Sequence, residues 1–319
     1  MANVLISLVG HQPLPTLILV RHFKPDKVIL VSTNDKVIQS RKTNLLELIS
    51  KEQSAVGKPI QTVPDLPSVS AWNTLNVIQW LENDFLPDET EPGDHLLYDV
   101  TGGTKAMSIA LARVASKRDG ELMYVDSSGM ETKLWCYTII RDHIDRDIGL
   151  RGADQPKLLP RYLTIDDLFH AYLGSNVSIT VKKQREPVTR GDFFEQAVLS
   201  GFLPLVDATR CSVQIHGNQE EIDIVLQKGN KFALVECKSG GLKDMEGIKQ
   251  LNNLASERYL GSYTAKVLAV AGISDKTLVT IAKEHHNIHV LPLTNWVQGQ
   301  SWSDIQLDEF PNAIKAAFD

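Results

Sequence analysis

Two apolar runs meeting at Gly229-Asn230 constrain this 319-residue chain more than any other stretch. Glu-Ile-Asp-Ile-Val-Leu begins at Glu221, and Phe-Ala-Leu-Val-Glu-Cys-Lys ends at Lys238. Glycine at a first turn position tolerates positive φ, so the stretch predicts a hairpin with a two-residue turn. In that register Asp223 faces Glu236 and Glu221 faces Lys238. The two-residue period of a strand puts all four on one face.

Facing carboxylates have Cβ atoms roughly 5 Å apart and repel one another. A divalent cation between them removes the conflict, and oxygen-only ligands suit hard Mg²⁺ or Mn²⁺. A neighbouring lysine can orient a water, and the chemistry that uses these parts is phosphodiester hydrolysis. From the hairpin alone a second reading stands equal: Glu221 and Lys238 form an ordinary cross-strand ion pair, with Asp223 and Glu236 solvated beside them.

Asp223, twelve intervening residues and Glu236-Cys237-Lys238 resemble the core of the PD-(D/E)xK nuclease superfamily. Ile222 stands where that family usually has proline. Upstream, Gly191-Asp-Phe-Phe-Glu195-Gln-Ala-Val-Leu199 is similar to the helix that often carries an extra acidic residue. Glu195 shares a helical face with Leu199 and Phe202, which directs it toward an apolar interior. Downstream, Gln250-Leu251 falls where relatives often place a polar residue on a helix beside the site. The resemblance implies that Asp223 and Glu236 hold the metal, with the Cys237 carbonyl a further ligand. Lys238 then orients the attacking water and steadies developing negative charge, and Glu195 supports the metal.

The first 140 residues alternate between short apolar runs and helical patterns, which predicts a doubly wound, mainly parallel α/β sheet. Strands are expected at Val4–Val9, Val28–Val31, Ile60–Val63, Leu96–Val100, Leu122–Val125 and Leu134–Ile139. Helices are expected at Leu14–Phe23, Lys36–Lys51, from an N-cap at Ser70 to Asn83, and after Thr104 to about Arg118. Ligands of such sheets bind beyond the carboxyl ends of the strands. Three polar connections fall there: Gly10-His11-Gln12-Pro13, Ser32-Thr33-Asn34, and Asp99 to Lys105. The last offers backbone N–H groups at a helix start, two glycines, two hydroxyls and a lysine, which suit a phosphate-bearing ligand. It lacks the spacing of a P-loop.

Asp99-Val-Thr-Gly-Gly-Thr-Lys105-Ala-Met-Ser, with the polar loop after the first strand, resembles the CARF domain, the CRISPR-associated Rossmann-like sensor. That resemblance implies a cyclic oligoadenylate, with cyclic tetra-adenylate favoured, bound across a homodimer. A ring with rotational symmetry can lie on a two-fold axis. The binding candidates are then Gly10, Gln12, Thr33, Thr101, Gly102, Gly103, Thr104 and Lys105.

The chain is therefore read as α/β: a Rossmann-like CARF domain over 1–140, a connector over 141–186, and a restriction-endonuclease-like PD-(D/E)xK domain over 187–319. Together these resemble CRISPR ancillary nucleases that cleave DNA, RNA or both once a ring binds. Two alternatives stay open. The chain is an unregulated repair or recombination nuclease with a scaffolding front domain, or a non-enzymatic nucleotide sensor that keeps a nuclease fold for binding.

With 33 basic and 39 acidic residues, the net charge is −6, so a constitutive high-affinity nucleic-acid binder is not expected. Lys182, Lys183, Arg185 and Arg190 form a local basic cluster, read equally as a solvated linker or a phosphate-contacting strip. Cys136, Cys211 and Cys237 have no CxxC spacing, and Cys237 is expected to face the core opposite Glu236 and Lys238. His285, His286 and His289 lie at a helix end and into a strand, a poor spacing for a metal site. No run reaches membrane length and no signal-peptide pattern opens the chain, so a cytoplasmic location without membrane association is expected. Helices at Met245–Leu260 and Lys276–Glu284, with strands at Val267–Val270 and His289–Leu291, are expected to wrap the hairpin, and Trp296, Trp302 and Phe310 to pack the terminal segment down.

Overall fold

The computed structural model describes the chain apart from residues 64–68, 119, 142–147, 153–154, 182–185, 216–219, 273 and 319. It divides into two units: Met1–Ser127 with Glu131–Leu163 and His170–Gly174, and Ser128–Met130 with Thr164–Phe169 and Ser175–Asp319.

The first unit runs β1 (Asn3–Leu8), α1 (Leu14–Phe23), β2 (Lys27–Val31), α2 (Lys36–Ile49), β3 (Gln61–Thr62), α3 (Thr74–Gln79), α4 (Leu86–Glu89), β4 (His95–Asp99), α5 (Lys105–Lys117), β5 (Gly120–Asp126), β6 (Lys133–Arg141), β7 (Ile148–Gly152) and β8 (Lys157–Leu158). Its sheet has the order β3-β2-β1-β4-β5-β6-β7, with β8 also on β6. Pairing is parallel from β3 to β5 and antiparallel from β5 to β7. The apolar runs of β1, β2 and β4 are buried almost throughout, as strands covered by helices on both faces must be. Met107, Ala110, Leu111 and Val114 of α5 close one face over Ile6, Leu8, Ile29 and Tyr98.

Two local expectations are corrected. Helix α3 starts at Thr74, capped by the Asn73 side chain, which accepts from the Asn76 N–H. Ser70 accepts from the N–H groups of Trp72 and Asn73, so it makes the preceding turn rather than the cap. Within the stretch read as a connector, β7 and β8 extend the first sheet, followed by α6 (Ile165–Leu173).

The second unit continues with β9 (Ile179–Val181), α7 (Arg190–Phe202), β10 (Ala208–Ile215), β11 (Glu220–Lys228), β12 (Lys231–Lys238), α8 (Glu246–Leu254), β13 (Ala265–Val270), α9 (Lys276–Thr280), β14 (His289–Pro292) and α10 (Asp304–Phe318). Its sheet has the order β14-β13-β12-β11-β10-β9. Strands β12 to β14 pair in parallel and the remainder are antiparallel. Strand β10 and helix α10 answer no expected element, and α8 ends at Leu254, six residues short of Leu260. The aromatic residues do pack the terminal segment: Phe310 meets Phe202 and Trp302 edge-on, and Trp296 meets Phe194. A Cβ on Gly201 would stand 2.2 Å from Phe310, so α7 and α10 touch where only glycine fits. Among the described residues no helix is long and apolar enough to cross a membrane.

Candidate functional site

The hairpin forms in the expected register. Gly229 takes φ +59°, and Lys228 pairs with Lys231, Gln227 with Phe232, and so on to Ile224 with Val235. The ladder stops there. Beyond it β11 stays with β10, where Ile222 pairs with Val213 and Glu221 with Gln214. Strand β12 stays with β13 as far as Lys238 opposite Val270. Neither expected facing, Asp223 with Glu236 or Glu221 with Lys238, is thus a ladder pair, because the two strands have parted company before that level.

The acidic residues sit at this fork. Asp223 Oδ2 accepts the Cys237 N–H at 2.7 Å, so a carboxylate replaces the ladder acceptor that β11 no longer supplies. Lys238 does not pair with Glu221; its Nζ lies 2.9 Å from Glu236 Oε1. Glu236 is buried, at 4% exposure, which removes the reading of an acid solvated on an open sheet face. Burial pushes the Glu236 carboxyl up, and the nearby Asp223 charge pushes it further. Burial also raises Asp223, against the pull of the Cys237 N–H and Lys238. Burial depresses the Lys238 ammonium, but Glu236, Glu246 and Asp223 outweigh it and leave the group raised. Lys238 is therefore a held cation, suited to steadying negative charge rather than accepting a proton.

Helix α7 brings Glu195 to the same place. A capping box starts the helix: Thr189 accepts from the Asp192 N–H while the Asp192 carboxylate accepts from the Thr189 N–H. Phe194, Val198 and Phe202 then bury themselves in the core. Glu195 is half-buried beside them, and its charge contributes to raising Glu236, Cys211 and Cys237.

Asp223, Glu236 and the Cys237 carbonyl are the groups that could hold a divalent cation. The Lys238 carbonyl accepts from Ala271 N–H on the β13 side. Alternation along β12 therefore turns the Cys237 carbonyl, like its N–H, toward Asp223. Among the described residues no group of three or more His, Cys, Asp or Glu stands ready as a cage. Two mutually repelling carboxylates, Glu236 buried and Asp223 half-buried, still fit a hard cation that keeps several of its waters.

Two residues of α8 also shape this site, Gln250, expected beside it, and Gly247, which was not expected. Gln250 Nε2 donates to the Glu221 carbonyl at 2.8 Å, tying α8 to β11. A Cβ on Gly247 would stand 3.0 Å from Lys238 Cε and 3.5 Å from Glu236 Cγ, so α8 lies directly on the pair. Gln250 was legible from its offset; Gly247 carried no signal separable from a helix-start glycine. Lys182, Lys183 and Arg185 lie outside the described residues, and Arg190 stands over the Trp296 ring at 5.8 Å. His286 bonds Asn252, and burial lowers His289.

In the first unit the order of strands reverses at β1, so the crevice between the carboxyl ends of β1 and β4 is the switch point. Gly10, Gly102 and Gly103 meet there. A Cβ on Gly102 would lie 1.9 Å from the Leu8 carbonyl oxygen, and one on Gly10 2.8 Å from Gly103 N. These glycines let two connections touch, and Gly103 also needs its φ of +72°. Thr101 Oγ1 accepts from Val125 N–H, and Thr104 caps α5 while donating to the Ala71 carbonyl at 2.6 Å. Thr33 is buried and bridges to Val69, whereas Lys105 stands exposed at the first turn of α5. Gln12 is turned to Tyr172, whose hydroxyl donates to Oε1 at 2.9 Å. Beneath the crevice Asp99 is wholly buried. It accepts from Ser7 Oγ at 2.5 Å and from Thr101 N–H at 2.8 Å.

Two α/β units in succession, each with its own sheet, are the architecture this chain has. Residues 4–149 match the family described as the Card1 CARF domain, and the first unit is therefore a CARF domain. The chain is similar in structure to Can2 from Sulfobacillus thermosulfidooxidans, solved in complex with cyclic tetra-adenylate. That match has 14% identity and a TM-score of 0.70, covering 98% of this chain and 99% of Can2. Protein VC1899 from Vibrio cholerae matches at 10% identity and a TM-score of 0.68 over 99% of both chains. A type III CRISPR defence DNA nuclease activated by cyclic oligoadenylate matches at 15% identity and a TM-score of 0.59, covering all of this chain and 53% of that one. At these identities the likeness is one of fold. No curated protein matches the sequence.

Proposed function

We propose that this chain is an endonuclease of type III CRISPR antiviral defence, dependent on Mn²⁺ or Mg²⁺ and switched on by a cyclic oligoadenylate, with cyclic tetra-adenylate the favoured ring. The observation that carries this reading is the buried Glu236 beside the half-buried Asp223, with Lys238 on Glu236, in a chain that also holds a CARF domain. Such a cluster of like charge is unfavourable without a cation or substrate to use it. The fold shared with the ring-bound Can2 supports the choice of activator.

Asp223 and Glu236 would hold the metal, with the Cys237 carbonyl beside them. When bound, the cation supplies Lewis-acid stabilisation of the scissile phosphate. Lys238 positions the attacking water and offsets charge developing on the phosphoryl oxygens, and Glu195 supports the acids from α7. The ring binds at the β1/β4 crevice and shifts the chain toward a cleavage-competent state. A second copy completes the ring site. Trp72 and Leu75 near the start of α3, and Ile109 one turn beyond Lys105, are exposed apolar side chains next to that crevice and would be covered by it. Nucleic acid of low sequence specificity, DNA or RNA, is the substrate.

The test is cleavage of labelled single-stranded DNA, single-stranded RNA and supercoiled plasmid with Mn²⁺, with and without cyclic tetra-adenylate, beside a Glu236→Ala control. Ring-dependent cutting that the control lacks is the expected result. Cutting indifferent to the ring would point to an unregulated nuclease, and ring binding without any cutting to a non-enzymatic sensor.

A further inference from the structure

The second sheet ends in a pocket level with the acidic fork. Lys238 on β12 lies opposite Val270 on β13, and Val270 lies opposite Pro292 on β14. These three strands are parallel, so their carboxyl ends open on one side, and Pro292 stands about 10 Å from Lys238, two strand spacings away. Between Pro292 and the first turns of α10 the chain encloses a cavity of about 370 Å³, within the range of small-ligand sites. The cavity is built in advance. Gln306 Oε1 accepts from the Ser303 N–H and hydroxyl, and its Nε2 donates to the Thr294 carbonyl at 3.0 Å, which fastens the loop to α10. Trp296 lines the cavity and meets Phe194 edge-on, one residue before Glu195 on α7. Val297 and Ile305 are exposed apolar walls. Asn295, Gln300, Ser301 and Glu309 add polar side chains that make no hydrogen bond or ion pair among the described residues. No lysine or arginine lines the cavity and a carboxylate does, so a phosphate is unwelcome inside it. Arg190, over the Trp296 ring at 5.8 Å, puts a cation beside the cavity instead.

We propose that this pocket takes one unpaired nucleobase of the substrate strand, near the scissile phosphate, and that Glu309 selects bases carrying an exocyclic amino group. The inference rests on the proposed nuclease function and adds a substrate class to it. A base edge can be read inside a pocket only when the base has left its partner, so the substrate is single-stranded. Val297 and Ile305 flank the planar ring. An ionised carboxylate can only accept, so Glu309 takes the amino N–H of cytosine, adenine or guanine and repels the carbonyl oxygen that thymine or uracil presents instead. The Asn295 and Gln300 amides can offer either end and do not choose between bases.

The test is to sequence the ends left when the full chain, with Mn²⁺ and cyclic tetra-adenylate, cuts a randomised single-stranded oligonucleotide library, beside supercoiled plasmid. Wild type, Glu309→Gln and Ile305→Ser are compared. Wild type is expected to show one position, at a fixed spacing from the cut, where thymine or uracil is depleted about tenfold, the worth of one hydrogen bond to a charged group. Glu309→Gln should abolish the depletion, because a glutamine amide also donates to a carbonyl. Ile305→Ser, at an exposed position that does not hold the fold, removes one apolar wall and should shrink the depletion and slow cutting. An even base distribution around every cut, a bias that Glu309→Gln leaves at full strength, or a library left uncut beside a cut plasmid would overturn the inference while the nuclease stands. A wild-type chain that cuts neither substrate would overturn the functional reading, and this inference with it.

Discussion

The Asp223 carboxylate accepts the Cys237 amide hydrogen at 2.7 Å, at the level where the β11–β12 ladder has ended. Asp223 thus satisfies a backbone donor left by the fork, whereas Glu236 holds the Lys238 ammonium, a cation that water can still reach when its partner is removed. Their alanine variants are expected to separate. Both should lose cleavage by about 10²–10³-fold or more, as removal of a charge-stabilising group in an active site does. Asp223→Ala should also cost about 1–3 kcal/mol of stability, because it leaves the Cys237 N–H unpaired. Glu236→Ala relieves like-charge repulsion and should cost less. Denaturant unfolding beside cleavage assays checks this; equal stability losses would show that the Cys237 contact contributes little.

A pH-sensitive group lies under the β1/β4 crevice. Burial pushes the Asp99 carboxyl up, although Ser7 and Thr101 pull it down. The folded chain therefore holds this proton more tightly than the unfolded chain does. The stability this group contributes is fully present below the unfolded value near 4 and is lost as pH rises through the folded value. Asp99→Asn removes the titration and keeps an oxygen for Thr101 N–H. Relative to wild type, its thermal midpoint should improve between pH 4 and pH 7. Parallel curves for the two proteins across that range would contradict the direction given.

How much of this was legible in the sequence depended on whether a signal was local. The hairpin register followed from Gly229 and the two-residue period, and β1, β2 and β4 from continuous apolar runs. The fork was not legible, since it depends on β10 and β13 competing for the two strands of the hairpin. Strand β10, Ala-Thr-Arg-Cys-Ser-Val-Gln-Ile, alternates weakly, and Ser212 opposite Asp223 takes φ +49°, which no propensity suggests. Gln12 was named from its place after β1, but the partner it meets, Tyr172, lies 160 residues away. Asp99 was seen as the start of a loop, and only burial shows it to be the loop's anchor.

The glycines of the crevice make a sharper prediction than its hydroxyls. Gly102→Ala would drive a Cβ to within 1.9 Å of the Leu8 carbonyl oxygen, a backbone atom of a central strand that cannot yield. Loss of ring binding and destabilisation of the first unit by several kcal/mol are expected. Gly129→Ala has nothing within 4 Å of the new Cβ. It meets only the strain of its φ of +74° and should cost about 1 kcal/mol with ring binding retained. Calorimetry and thermal unfolding of both variants test the contrast. Equal behaviour would mean that the β1 and β4 connections do not need their contact.

Gly247 separates stability from activity in the opposite sense. It lies in the first turn of α8, where alanine favours the helix over glycine by up to about 1 kcal/mol. The added Cβ would meet Lys238 Cε at 3.0 Å and Leu268 Cδ1 at 3.2 Å. The lysine end is the flexible one, so it is Lys238 that yields, and its Nζ leaves the 2.9 Å contact with Glu236. Gly247→Ala is therefore expected to unfold no earlier than wild type and to bind cyclic tetra-adenylate equally well. Cleavage at saturating ring should nevertheless fall by about tenfold or more, since displacement of about 1 Å at a catalytic group is enough for such losses. Gly247→Val, with two further methyl groups against the same pair, should cut less still. If Gly247→Ala cleaved at the wild-type rate, the placement of Lys238 under α8 would not matter to the reaction, and its assigned part in steadying phosphoryl charge would have to be given up.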